Sequence, residues 1–166
     1  IVYRCRKRYV GDAIAQRRED KMAAGDEGID VVNCAGQGHG LLGTAYGWGG
    51  NPKEAAIYLN VVPARNDGKT PYVLKVQDVP VDGFWSITVY NAKGFMEANS
   101  LNVYSVNGVT AKPNADGSIT INFGGDPGAI NNLPITPGWN YIVRMYQPKQ
   151  EIVSGAWSFP KAQLAK

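Results

Sequence analysis

The fold this chain predicts is mainly β: an antiparallel, jelly-roll-like sandwich with a short N-terminal helical arm. Three observations carry that expectation. Residues 82–95 read DGFWSITVYNAKGF, so Trp85, Ile87 and Val89 alternate with Ser86 and Thr88. Successive side chains on a strand point to opposite faces, which places the three apolar residues together on one face. The run closes on the polar turn Asn91-Ala92-Lys93-Gly94, and a matching turn, Asn114-Ala115-Asp116-Gly117, opens a second apolar run that ends at Phe123. Beyond Ile57, short runs of this kind follow one another with turn signals and no helical stretch between them. That pattern excludes a parallel βαβ sheet.

Taken in order, the chain divides into two unequal parts: an arm and glycine-rich linker over residues 1–46, and a β domain over 47–166. Residues 10–24 read as a helix, free of proline and rich in good formers such as Ala13, Ala15, Gln16 and Glu19, with Gly25 as a stop. Residues 29–34 form a short strand. The glycine-dense stretch 36–50 crosses the surface without regular structure. Asn51-Pro52-Lys53-Glu54-Ala55-Ala56 makes one helical turn, with proline at its first position. Strands then follow at 57–62, 72–76, 84–90, 102–106, 118–123 and 139–146, separated by turns such as Asn66-Asp67-Gly68, Asn107-Gly108 and Pro137-Gly138.

Composition narrows the function. At 166 residues the chain suits a single domain with a sizeable core, and only 19% of it is charged. Sparse charge with 20 Gly and 10 Pro fits a periplasmic or secreted β protein, with a cytoplasmic one left open. No apolar run is long enough to span a membrane. The net charge of +3 belongs to one segment. Arg4, Arg6, Lys7, Arg8, Arg17, Arg18 and Lys21 outnumber Asp12, Glu19 and Asp20, and the rest of the chain is slightly acidic. A basic arm without a basic stripe on the β body reads as a solvated helix face or a packing segment, so no nucleic-acid partner is expected. The opening Ile1-Val2-Tyr3 has no initiator Met, which suggests a processed product or a fragment of something longer. Cys5 and Cys34 either pair as a disulfide or stand as two free thiols.

Several motifs carry less than they promise. Gly38-His39-Gly40-Leu41-Leu42-Gly43 spells a dinucleotide fingerprint, but Thr44-Ala45-Tyr46-Gly47-Trp48-Gly49 cannot continue as the helix that fingerprint requires. No cofactor is expected. His39 is the sole histidine and lies in the same linker, with no nucleophile elbow in the chain. Asp67, Asp116 and Asp126 lie inside turn signals, where aspartate serves the backbone. No histidine, aspartate and glutamate grouping has metal-site spacing.

The binding signal lies in the aromatic and amide residues. Trp85, Trp139 and Tyr141 read as core, whereas Tyr90, Tyr104 and Tyr146 fall at strand ends or opposite the core set. Arg144 interrupts the strand Tyr141-Ile142-Val143 and so faces solvent, a subunit or a pocket. Glu54, Tyr58, Tyr90, Asn91, Tyr104 and Arg144 are the candidate ligand-binding residues. Aromatic faces with amide hydrogen bonds suit a carbohydrate or another mixed polar and apolar ligand.

From about Gly47 onward the chain also resembles domain-of-unknown-function family 1214. The residues that carry the likeness are Gly49-Gly50-Asn51-Pro52-Lys53-Glu54, Asp82-Gly83-Phe84-Trp85-Ser86-Ile87-Thr88-Val89-Tyr90-Asn91, Asn114-Ala115-Asp116-Gly117-Ser118-Ile119, Arg144-Met145-Tyr146-Gln147-Pro148 and Gly155-Ala156-Trp157. The resemblance implies a jelly-roll-like domain that often follows a partner domain of family 1254 in larger bacterial proteins, and it brings no assigned mechanism. The chain departs from the family pattern at Val103, where an arginine is usual, and at Asn132, where a tryptophan is usual. Two functions are therefore expected: first, a noncatalytic module that binds a carbohydrate or envelope-related ligand or assembles with itself or a partner domain; second, a hydrolase or lyase acting on a carbohydrate or ester.

Overall fold

The computed structural model describes residues 51–165 and the backbone of 29–31. The expected helix at 10–24, the glycine-rich linker, His39, Cys5 and Cys34 lie outside the described residues.

Two sheets make up the fold. One holds five strands in the order β1 (Ile29–Val31), β2 (Ala56–Val61), β8 (Asn140–Tyr146), β4 (Trp85–Tyr90) and β5 (Ser105–Asn107), every neighbour antiparallel. The other holds four, in the order β7 (Asn132–Leu133), β6 (Ile119–Phe123), β3 (Tyr72–Val76) and β9 (Gln163–Leu164). There β7 runs parallel to β6, so this sheet is mixed where a wholly antiparallel one was expected. One four-residue helix, α1 (Gln150–Val153), follows β8.

Alternation decides what each strand buries. Along β8, Tyr141, Val143 and Met145 are buried while Asn140, Ile142, Arg144 and Tyr146 are half-buried on the opposite face. Trp85, Ile87 and Val89 on β4 are buried as their spacing predicts. Leu74, Val76, Ile121, Phe123 and Leu133 from the second sheet join the same apolar cluster. Phe123 meets Tyr141 across the two sheets at a ring separation of 4.9 Å, with Trp139 stacked on Phe123 at 5.2 Å. The core thus lies between the sheets, which leaves the outer face of the five-stranded sheet as a separate, polar surface.

Both turn signals form. Gly94 N–H donates to the Asn91 carbonyl and Gly117 N–H to that of Asn114, and both glycines take the positive φ that turns of this kind need. Sequence and structure part at the strand expected over 102–106. Asn99 folds its side chain onto the backbone N–H groups of Leu101 and Val103, and Asn102 adopts φ 51°. These local bonds compete with the ladder, so β5 forms only at Ser105–Asn107.

Candidate functional site

Arg144 stands at the centre of the outer face because β8 is the middle strand of its sheet. Cross-strand register places Tyr58 of β2 on one side of it and Ser86 of β4 on the other. The guanidinium reaches diagonally along β4. Its Nη1 donates to Thr88 Oγ1 at 2.9 Å and its Nη2 to Tyr90 Oη at 2.6 Å. Cζ lies 5.8 Å from the Tyr90 ring centroid. Among the described residues the ion pairs are Lys75 with Asp116 and Lys149 with Asp82. No carboxylate there neutralises Arg144, which is half-buried and held, among the described residues, by neutral hydroxyls.

An aromatic run extends the face from Arg144. Tyr58 meets Tyr146 edge-on at 6.4 Å, and Phe84 stacks on Tyr146 at 4.6 Å. Phe84 is 43% exposed, so the run opens to solvent. Tyr58 Oη accepts from Asn51 Nδ2 at 2.9 Å. Asn60 lies further along β2 on the same face, and its Oδ1 is buried without a hydrogen-bond partner among the described residues.

The remaining candidates fall elsewhere. Asn91 builds a turn: its Oδ1 accepts from the N–H groups of Lys93 and Phe95, and its Nδ2 donates to Glu97. Tyr104 donates to Asn102 Oδ1 at 3.1 Å. Tyr90, Asn91 and Tyr104 line a cavity of about 30 Å³ beyond the end of β4, room for little more than one water. Glu54 is exposed on the turn before β2 and makes no ion pair with Arg144. The structure therefore gathers Arg144, Tyr58 and Tyr90, sets Asn91 and Tyr104 on the far side of Tyr90, and leaves Glu54 apart.

Sequence reasoning missed Thr88 and Phe84 as members of this face. The signal for Thr88 was its place on the polar side of the β4 alternation, in line with Tyr90. A separate open cleft of about 370 Å³ was also missed; Leu101, Val106, Thr110, Pro127 and Asn131 are among the residues that line it. It forms where irregular connections approach one another, and strand periodicity carries no trace of that.

The perturbed carboxylates belong to turns. Asp67 is lowered from 3.8 to about 2, first by the Thr70 N–H, then by the Lys69 N–H and the Thr70 hydroxyl. Asp116 is held well below the usual carboxylate range, first by Lys75 and then by the Ser118 hydroxyl and N–H. Both are stabilised as anions by the groups they organise. Among the described residues no group of histidine, cysteine, aspartate or glutamate could hold a metal ion, and no helix is long and apolar enough to cross a membrane.

Comparison with known proteins places the domain. The VPA0106 protein of Vibrio parahaemolyticus has a similar solved structure, with a TM-score of 0.65 and 28% identity over 77% of this chain and 35% of that one. A putative uncharacterized protein from Burkholderia cenocepacia is similar in fold, with a TM-score of 0.53 and 23% identity over 83% of this chain and 34% of that one. The chain thus spans about a third of the length of the solved chains it matches. No curated protein matches it. A family model described as "Protein of unknown function (DUF1214)" matches residues 62–150, a span that takes in Thr88, Tyr90 and Arg144 but stops short of Tyr58. That span is more than half of the chain, and the chain belongs to the DUF1214 family.

Proposed function

We propose that this domain is a noncatalytic module that binds a carbohydrate or envelope-related ligand through the outer face of its five-stranded sheet. One observation carries the reading: Arg144 is half-buried, centrally placed and held by two neutral hydroxyls with no carboxylate among the described residues. A charge withdrawn from water without a counter-charge is costly unless something else meets it. The aromatic run beside it, exposed at Phe84 and half-buried at Tyr146 and Tyr58, offers apolar surface with a hydroxyl at its edge.

The alternative, a hydrolase or lyase, calls for an acid and a base facing each other across a cleft. Glu54 is exposed on its turn and Glu97 is bonded to Asn91, so neither faces Arg144 in that way. Assembly with a second copy or a partner domain is the other reading with a specific observation behind it. The face is open, aromatic and centred on an arginine, the residue types that dominate protein interfaces. A periplasmic or secreted setting is part of the proposal and rests on the sparse charge. A jelly-roll-like winding is also part of the proposal, supported by the way the chain passes between sheets from β2 to β3, β3 to β4, β5 to β6, β7 to β8 and β8 to β9.

Native mass spectrometry of the protein purified without denaturant tests the module. The expected result is a reproducible added mass or a discrete oligomer that Arg144→Ala abolishes. A bare monomer, identical in wild type and variant, would contradict it.

A further inference from the structure

Which chemical group meets Arg144 follows from the partners it already has. Thr88 Oγ1 and Tyr90 Oη each accept an N–H from the guanidinium. A hydroxyl that accepts through its oxygen still has its own hydrogen to donate. Tyr58 is in the same state, since its Oη accepts from Asn51. A guanidinium has five N–H groups, and two of the five are used among the described residues. Thr88 is buried behind the guanidinium, so Arg144 and Tyr90 present hydrogens together with one full positive charge. This is the complement of an oxyanion. One guanidinium balances one unit of charge, and its planar fork matches a carboxylate. Lys149, the nearest lysine along the chain, is paired with Asp82 and adds no second charge for a phosphate dianion. Tyr58 lies directly opposite Arg144, and Tyr146 is two residues further along the same face. Their rings provide an apolar surface beside the charge on which a sugar ring can rest.

Building on the binding-module reading above, we infer that this face takes a carboxylated sugar, a uronic-acid unit whose carboxylate sits on Arg144 and the hydroxyl of Tyr90 while its ring lies against Tyr58 and Tyr146. The face is a sheet surface and not a closed pocket, which suits an extended chain that passes over it.

Calorimetric titration of the intact chain with galacturonic-acid oligomers, matched galactose oligomers and inorganic phosphate tests this. The acidic oligomer is expected to bind about tenfold more tightly than the neutral one and to weaken as salt is added. Arg144→Gln is expected to weaken it by about tenfold or more, with Arg144→Lys restoring only part because an ammonium lacks the fork. Tyr90→Phe keeps the ring and removes one donor, so it serves if Arg144→Gln fails to fold; affinity unchanged in Tyr90→Phe would overturn the inference. Equal binding of acidic and neutral oligomers, both lost in Tyr58→Ala, would overturn the carboxylate while leaving the binding module in place. Phosphate binding as tightly as the acidic oligomer would overturn the sugar. Failure of both oligomers to bind would also overturn the inference, and the module falls with it only if native mass spectrometry finds neither ligand nor oligomer.

Discussion

Asn91 separates a residue that builds the fold from one that serves the face. Its side chain holds the N–H groups of Lys93 and Phe95 and reaches Glu97, so Asn91→Ala is expected to cost about 1–2 kcal/mol of stability. Binding at Arg144 should be unchanged. Urea unfolding and a parallel titration check the two halves. Gly108 makes a tighter demand. A Cβ there would lie 2.5 Å from Trp85 Nε1 and 2.9 Å from Cε2. Trp85 is buried and cannot retreat freely, so Gly108→Ala is expected to destabilise by about 1–3 kcal/mol, read from the urea midpoint. Asp67 and Asp116 set the acid response. Each has a folded pKa below its ordinary value. The stability each contributes is complete above that ordinary value and is lost as pH falls through the folded one. For Asp67 the window runs from 3.8 down to about 2; for Asp116 it extends lower. Both are solvent-exposed, so the effect is modest. Thermal melts of an Asp67→Asn, Asp116→Asn double variant should fall less steeply with acid than those of wild type across that window.

Strands that bury one face were legible because alternation is a direct physical signal. Residues 72–76 form β3 as their spacing predicts, and β2, β4, β6 and β8 lie within a residue of expectation. β7 and β9 were not legible: two residues contain no period, and each forms because a neighbour offers an open edge. α1, with four residues, fails for the same reason. β5 was displaced by the side-chain bonds of Asn99 to residues two and four places on, a local competition that strand alternation does not register. The candidate site divides along the same line. Arg144 announced itself as a charge inside an apolar strand, and Tyr90 as an aromatic at a strand end. That Tyr90 and Thr88 would be its hydrogen-bond partners depends on the register of β4 against β8, which turn chemistry and packing set. Glu54 was chosen for its chemistry and its place in a family-like segment, and the turn leaves it exposed.

The molecule as a whole rests on one aromatic junction between its sheets. Phe123 is fully buried and touches Trp139 and Tyr141, so Phe123→Ala is expected to cost about 3–5 kcal/mol. A loss of that size would take much of a small domain's margin, and it should appear as a large fall in the thermal midpoint. The core turns inward from both sheets, and the outer face of the five-stranded sheet carries Arg144. Two surfaces of the described chain compete for that role: this face, and the open cleft near Thr110 and Asn131. Backbone-amide NMR of the intact chain, titrated with galacturonic-acid oligomers, chooses between them most directly. If the outer face binds, the resonances that move are those around Tyr58, Thr88, Tyr90 and Arg144, and they stay still in Arg144→Gln. Perturbations confined to Leu101, Thr110 and Asn131, and unchanged by that substitution, would contradict it.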